Sequence, residues 1–265
     1  MPEKTTTRKL MLSEPVFGEG PRQHWEWLTK ILAAVGAPGT TVDYVNLKQG
    51  YKVMRTYTRT YNSLGIVQRA YEAEKKGYDG FIIGCASDLG LKEARSMVNI
   101  PVVGSTEATA LLACSLGNKF SVITTDPTAC GRAENLIRSY GLADRLASVR
   151  CPEGLTSHKN FAMMAEGPQQ QKKVVDLLTA TMAKAIMEEG AEVVYVSCLP
   201  TSAMLVMHGV YDVAGAPVVN MFTAALKHAE SLVALKRAYG TVVCKRGVFL
   251  GPHAGWEKEI PIQID

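Results

Sequence analysis

The stretch Gly77-Tyr78-Asp79-Gly80-Phe81-Ile82-Ile83-Gly84-Cys85 returns in altered form as Gly190-Ala191-Glu192-Val193-Val194-Tyr195-Val196-Ser197-Cys198. Each copy starts with a glycine eight residues before a cysteine, and a Pro-Val-Val segment follows each, at Pro101 and at Pro217. An alanine stands seven residues after each of these prolines, Ala108 and Ala224, in an Ala-rich stretch. The cysteines are 113 residues apart and the prolines 116, so one unit is used twice with three residues inserted after the second cysteine. A short continuous apolar run bounded by glycine reads as a strand buried on both faces, which is the pattern of a parallel sheet under helices. The duplication therefore predicts an α/β fold of two pseudo-symmetric, open parallel-sheet domains with the active site in the cleft between them.

The rest of the chain fits that plan. Lys9–Leu12 reads as the first strand, followed by a turn-rich loop over Ser13–Pro21. Trp25–Val35 reads as a helix, Thr41–Leu47 as a strand, residues 50–63 as a loop or short helix, and Leu64–Lys76 as an amphipathic helix. After the Cys85 strand come a helix over Leu91–Met97, a strand at Val102-Val103, a helix over Glu107–Leu116 and a strand over Phe120–Thr124. Asp126-Pro127 opens a helix that ends near Gly141, and Ala147–Arg150 is a strand. Glu153–Gln170 reads as a loop able to fold over the site, and Lys172–Glu189 as a long helix. The Cys198 strand, a turn with Met204–His208, a Val218-Val219 strand and a helix over Phe222–Ala238 complete the repeat. This alternation argues for βαβ units. The expected domains are 1–125, 126–240, and a C-terminal strand and tail, 241–265, returning to the body.

Composition narrows the function. A length of 265 residues is ample for a core. The net charge of +4 is spread over scattered Lys and Arg with no basic run among aromatics, which argues against nucleic-acid binding. No stretch approaches the roughly 20 apolar residues of a membrane helix. The polar residues 1–8 show no secretory signal, so a cytoplasmic location is expected. Six cysteines lie at 85, 114, 130, 151, 198 and 244 without a CxxC pair, and five dispersed histidines show no ligand spacing, so no metal is expected. Gly18-Glu19-Gly20 is too weak a pattern for a nucleotide loop. His24, His228 and His253 read as surface or helix residues.

Cys85 and Cys198 end their strands, where open α/β sheets bind ligands. The following turn and helix N-terminus would lower a thiol's pKa from about 8.5 toward neutrality and hold a carboxylate or enolate oxygen. Asp88 and Thr201, each three residues after its cysteine, read first as caps. Two thiols on opposite sides of one small substrate suit a single chemistry. One thiolate removes a proton beside a carbonyl, and the other thiol returns one from the far face. The planar intermediate needs only hydrogen bonds on its oxygens, so no cofactor is expected. The competing structural reading is that both cysteines are core filler, which is the favoured reading for Cys114, Cys130, Cys151 and Cys244.

The segments Gly84-Cys85-Ala86-Ser87-Asp88-Leu89-Gly90, Ile100-Pro101-Val102-Val103-Gly104-Ser105-Thr106-Glu107-Ala108, Leu116–Thr124, Ser197-Cys198, Ala216-Pro217-Val218-Val219-Asn220 and Ala229-Glu230 resemble the aspartate/glutamate/hydantoin racemase superfamily, most closely its hydantoin and allantoin branch. The resemblance covers roughly residues 8–240. It implies a cofactor-independent racemase or epimerase, with Cys85 and Cys198 as the acid/base pair and a homo-oligomeric assembly. Contacts to a hydantoin-like cyclic amide would come from Glu14, Pro15, Ala86, Ser87, Asp88, Thr106, Leu199, Thr201 and Ser202. Two positions depart from the family pattern. Glu14-Pro15 replaces Asn-Pro, where acid would repel a carboxylate or bind an amide or cationic group, and Ser197 replaces Gly before the second cysteine. Arg55 or Arg59 could hold an anionic substrate. The alternatives are a same-fold enzyme using one cysteine for cis–trans isomerisation, decarboxylation or ring-amide hydrolysis, and a non-catalytic two-lobed sensor.

Overall fold

The computed structural model describes residues 7–17, 22–241 and 243–256. In chain order the elements are β1 (Arg8–Phe17), α1 (Arg22–Val35), β2 (Thr40–Leu47), α2 (Thr56–Lys75), β3 (Gly80–Ile83), α3 (Leu91–Met97), β4 (Val102–Gly104), α4 (Ser105–Leu116) and β5 (Phe120–Ile123). They continue as α5 (Cys130–Ser139), β6 (Leu146–Arg150), α6 (Ser157–Ala165), α7 (Pro168–Glu189), β7 (Val193–Val196), α8 (Leu199–Met207), β8 (Asp212–Val213), β9 (Ala216–Val219) and α9 (Met221–Tyr239). The chain divides into two compact units: the described parts of residues 1–20, 36–104 and 226–265, and of residues 21–35 and 105–225.

In the first unit the strand order is β2-β1-β3-β4, all parallel. Parallel neighbours need crossover connections; α1 lies between β1 and β2, α2 between β2 and β3, and α3 between β3 and β4. β3 and β4 are buried along their whole length, which accounts for their uninterrupted apolar sequence. β1 is longer than the sequence suggests. Ser13–Phe17, expected as a loop, continues the strand with a register irregularity against β2 between Glu14 and Phe17. Pro15, which has no N–H, sits in that irregular stretch, where no ladder donor is lost. Gly18-Glu19-Gly20, weighed above as a nucleotide loop, lies outside the described residues.

α2 also begins earlier than expected, at Thr56 rather than Leu64. Its buried Asn62 donates to Pro15 O at 2.8 Å and to Tyr51 O at 2.9 Å, and accepts from Tyr51 N at 2.9 Å. This side chain ties the helix to the loop before it and to the end of β1. Tyr51 packs edge-on against Tyr57 and Tyr61, at 5.5 and 5.3 Å between ring centroids. From Leu226 onward α9 belongs to this unit. Its Glu230 accepts from Ala37 N at 2.7 Å and Thr40 Oγ1 at 2.8 Å, fixing the entry to β2.

The segment after Gly240 shows no strand among its described residues, and Cys244 is exposed there. Lys245 Nζ instead donates to the carbonyls of Arg95, Ser96 and Val98 at the end of α3, and Trp256 stacks edge-on against Tyr71 at 5.3 Å.

The second unit has the order β6-β5-β7-β9-β8, parallel except for the short β8–β9 pairing. Without β8 this is the order of the first sheet, element for element, so the repeat read in the sequence is a repeat of topology. Glu153–Gln170 is not a loop. Thr156 caps α6 by accepting from Lys159 N at 3.2 Å, and Gly167-Pro168 separates α6 from α7 with Pro at the start of the second helix. Met204–His208, expected as a turn, is mostly the C-terminal part of α8. Among the described residues no helix is long and apolar enough to cross a membrane.

Two substitutions test the first unit. A Cβ at Gly104 would lie 2.6 Å from the Asp88 carboxylate and 2.8 Å from Leu91 Cδ2. Gly104→Ala is expected to cost about 1–3 kcal/mol in urea denaturation, the range for overpacking a tight site. Glu230 is desolvated, but hydrogen bonds from Lys227, Ala37 and Thr40 outweigh this and lower its pKa. A depressed carboxylate pKa contributes stability above the unfolded value, lost as pH falls through the folded one. Glu230→Gln should therefore destabilise the protein at pH 7 and flatten the acid side of its Tm–pH curve below about pH 4.5.

Candidate active site

Both cysteines leave the sheet by the same step. Gly84 N donates to Ser13 O on β1 at 2.8 Å, and Cys85 N then folds back onto Ile83 O at 2.9 Å. In the second unit Ser197 N donates to Ile123 O on β5 at 2.8 Å, and Cys198 N folds back onto Val196 O at 2.9 Å. Each thiol thus stands at the carboxyl end of the strand next to its unit's first strand. The connections on either side of that first strand run in opposite directions, β1 to β2 one way and toward β3 the other, as do β5 to β6 and toward β7. This is the topological switch point where open α/β sheets place ligands. Both thiols are half-buried.

Around Cys85 the turn is tight. Asp88 N donates to Cys85 O at 3.1 Å, and Asp88 has a left-handed backbone with φ of 44°. Asp88 is buried, and Ala86 and Ser87 are half-buried. Gly84 is required beside β1, because a Cβ there would come within 2.6 Å of Leu12 Cδ2 and 3.2 Å of Glu14 Cγ. Glu14 and Pro15 are both buried at the end of β1. Arg59 Nη1, on the first turns of α2 in the stretch expected as a loop or short helix, donates to Ser87 Oγ at 2.6 Å.

The expected helix N-terminus is absent at Cys85, since α3 starts only at Leu91 behind the left-handed Gly90. The expected fall in pKa is reversed as well. Burial pushes the Cys85 thiol up to about 11, against hydrogen bonds from the Ser87 N–H and hydroxyl and the charge of Arg59, which favour the thiolate, while the Asp88 charge disfavours it.

Cys198 is the cap residue directly before α8, with Leu199, Thr201 and Ser202 buried behind it. Thr201 does not cap the helix by its side chain. Its Oγ1 lies 3.1 Å from Cys198 Sγ and donates to it, while accepting from Asn160 Nδ2 on α6 at 2.9 Å. Ser202 is engaged elsewhere. Its Oγ accepts from Met221 N at 3.0 Å and from Asn220 Nδ2 at 3.2 Å, joining α8 to the start of α9. α6 is held in place by Asp126, whose Oδ2 accepts from Ser157 N at 3.0 Å. His208 pairs with Gln171 at 3.4 Å, and Gln171 in turn donates to Met164 O at 2.8 Å. His158 is exposed, and His24 lies on α1, where it is buried. Thr106 is buried in the first turn of α4, within the second unit.

Sequence reading missed Asn160 and gave Arg59 only a general anion-binding role. The Thr156-to-Lys159 cap was the one local signal for α6. Among the other cysteines, Cys130 Sγ lies 3.2 Å from Thr124 Oγ1, and burial raises the pKa of Cys151. Among the described residues no group of three or more His, Cys, Asp or Glu side chains is arranged to hold a metal ion.

Comparisons with known proteins bear on the family and the fold. The chain is 28% identical over 198 residues to a hydantoin racemase of Pseudomonas sp. (strain NS671), covering 74% of this chain and 75% of the relative. It is 31% identical over 169 residues to a hydantoin racemase of Rhizobium meliloti, covering 64% and 66%. Its fold is that of an allantoin racemase from Klebsiella pneumoniae, with a TM-score of 0.79, 24% identity and coverage of 93% of this chain and 94% of that one. The model of the Asp/Glu/Hydantoin racemase family matches residues 26–229. The chain belongs to the Asp/Glu/hydantoin racemase family and is an isomerase of the racemase class.

Proposed function

We propose that the protein is a cofactor-independent racemase of a hydantoin-like cyclic amide, with Cys85 and Cys198 as its two acid/base groups. The observation that carries this reading is the matched exit of both cysteines from the sheet at equivalent switch points. A proton on a carbon beside a carbonyl is acidic because the resulting charge spreads onto oxygen. One sulfur, as thiolate, takes that proton and becomes a thiol. The carbon flattens into an enolate, and the other thiol delivers its proton to the opposite face and becomes a thiolate. No atom is gained or lost, and the two sulfurs exchange protonation states with each turnover.

Substrate class is inferred from Glu14. A buried acid at the end of β1 disfavours a substrate carboxylate by like-charge repulsion, and it can accept a hydrogen bond from a ring amide N–H. The relatives named as hydantoin racemases point the same way.

The test is proton NMR in D2O with L- and D-hydantoins, allantoin and free amino acids. The proton on the stereogenic carbon of a cyclic amide should exchange with loss of optical activity. Cys85→Ala and Cys198→Ala should each lower the racemisation rate at least a hundredfold, the usual scale for losing a positioned proton-transfer group. Full racemisation in either variant would remove the two-thiol mechanism. No exchange with any substrate would favour single-cysteine chemistry on unsaturated diacids, malonates or cyclic imides.

The raised Cys85 pKa gives a separate expectation. The thiol is neutral below about 11 and anionic above, and only the anion is nucleophilic. Peptide-resolved iodoacetamide labelling of Cys85 should therefore keep rising from pH 7 to pH 10 without levelling off. A plateau near pH 8 would contradict it.

A further inference from the structure

We infer that each thiol ends a donor–hydroxyl–sulfur relay, Arg59–Ser87–Cys85 in one unit and Asn160–Thr201–Cys198 in the other, and that Arg59 and Asn160 are positioning residues that aim a hydroxyl proton at sulfur. The inference rests on the reading of Cys85 and Cys198 as the acid/base pair.

The proton positions follow from which groups can only donate. Arg59 Nη1 is 2.6 Å from Ser87 Oγ, and a guanidinium has donors but no acceptor. The Ser87 oxygen therefore accepts, and its single proton is left for another acceptor; the Ser87 hydroxyl and N–H both act to favour the Cys85 thiolate.

In the second unit Asn160 Nδ2 is 2.9 Å from Thr201 Oγ1 and 3.5 Å from Met164 Sδ. A thioether sulfur only accepts, so the atom facing it is the amide nitrogen, and the amide is oriented by that contact. Thr201 accepts from Asn160, and its own proton points to Cys198 Sγ at 3.1 Å, closer than Met164 Sδ at 3.6 Å. Asn160 is fully buried, so its orientation is not blurred by solvent. A hydroxyl held as donor stabilises the thiolate over the thiol.

The relays occupy the same place in the repeat. α2 lies between β2 and β3, and α6 lies between β6 and β7, so each relay starts in the segment that leads into its cysteine's strand. They differ in charge. The Cys85 relay begins with a cation, and the acids facing that turn are Asp88 and, from β1, Glu14. The Cys198 relay begins with a neutral amide, and the titratable groups of the surrounding elements are His24, which lines a small cavity together with Met164, His208 beside Gln171, and Asp126, which accepts from Ser157 N at the start of α6.

The test is peptide-resolved iodoacetamide labelling of the full chain at pH 7.5, with thermal unfolding to confirm that each variant folds. Breaking a relay by one pKa unit cuts the thiolate tenfold, and its greater intrinsic nucleophilicity restores about threefold, so labelling should slow about threefold or more. Arg59→Met should slow Cys85 and leave Cys198 unchanged, with part of the rate returning in Arg59→Lys. Asn160→Asp, which turns the donor into an acceptor of the same shape, should slow Cys198 and leave Cys85 unchanged. Thr201→Ser should label Cys198 as the unsubstituted protein does.

In a Thr201→Val background the Asn160→Asp change should lose most of its effect. An undiminished effect there would mean that the new charge acts on sulfur directly, and would overturn the relay. Unchanged labelling of the paired thiol, or equal slowing of both thiols, would overturn it as well. These rates need no substrate. If they behave as stated while no substrate proton exchanges, the relays stand and the racemase reading falls.

Discussion

One backbone hydrogen bond in each unit decides where its strand-end cysteine leaves the sheet. Gly84 N–H reaches Ser13 O, Ser197 N–H reaches Ile123 O, and each is the last rung before the chain turns out of the sheet. Inside a parallel sheet every backbone group is spent on a neighbour. One residue later the ladder has ended, and a side chain can stand at the carboxyl edge with its N–H turned back onto its own strand. Cys85 and Cys198 are those residues. Their positions depend on the strands being in register with β1 and β5, and that register depends on the apolar packing of β3 and β7.

The two units solve the same problem with different side chains. In the first, the glycine before the cysteine leaves room for Leu12 and Glu14, and a left-handed Asp88 turns the chain before α3 begins. In the second, Ser197 stands at the glycine's place, and the cysteine is the cap residue from which α8 begins. The backbone dipoles at a helix start can therefore act on Cys198 but not on Cys85. At Cys85 the cationic Arg59 stands near the sulfur instead. Burial works against the thiolate there, so the groups around that sulfur act to limit a desolvation cost rather than to produce a strongly acidic thiol.

Glu230 shows how a sequence pattern can carry a different meaning in three dimensions. The Ala229-Glu230 pair read as part of the family likeness of the second half. In the structure this glutamate lies in the first unit, where it receives Ala37 N and Thr40 Oγ1 and stabilises the approach to β2. A buried carboxylate with several donors fixes a turn firmly, because leaving those donors unpaired would cost each its desolvation.

The strands β3 and β7 and both cysteines were legible in the sequence because a strand buried on two faces is a continuous apolar run, and Phe81-Ile82-Ile83 and Val193–Val196 say so without reference to anything distant. The topology followed from the repeat, since strand–helix alternation leaves few right-handed parallel arrangements. The first two turns of α2 and all of α6 were not legible. Tyr and Thr around residues 56–61 and the Gly167-Pro168 pair carry weak or contrary helix signals, and those helices are held by Asn62, Asp126 and packing. Both helices supply the side chains nearest the sulfur partners, across 28 residues from Arg59 to Ser87 and 41 from Asn160 to Thr201. By itself the sequence determined which residues end the two strands, because strand burial is a local pattern. Only the tertiary structure decided which donors reach the hydroxyls beside the thiols, because that depends on helices whose positions are set by contacts far along the chain.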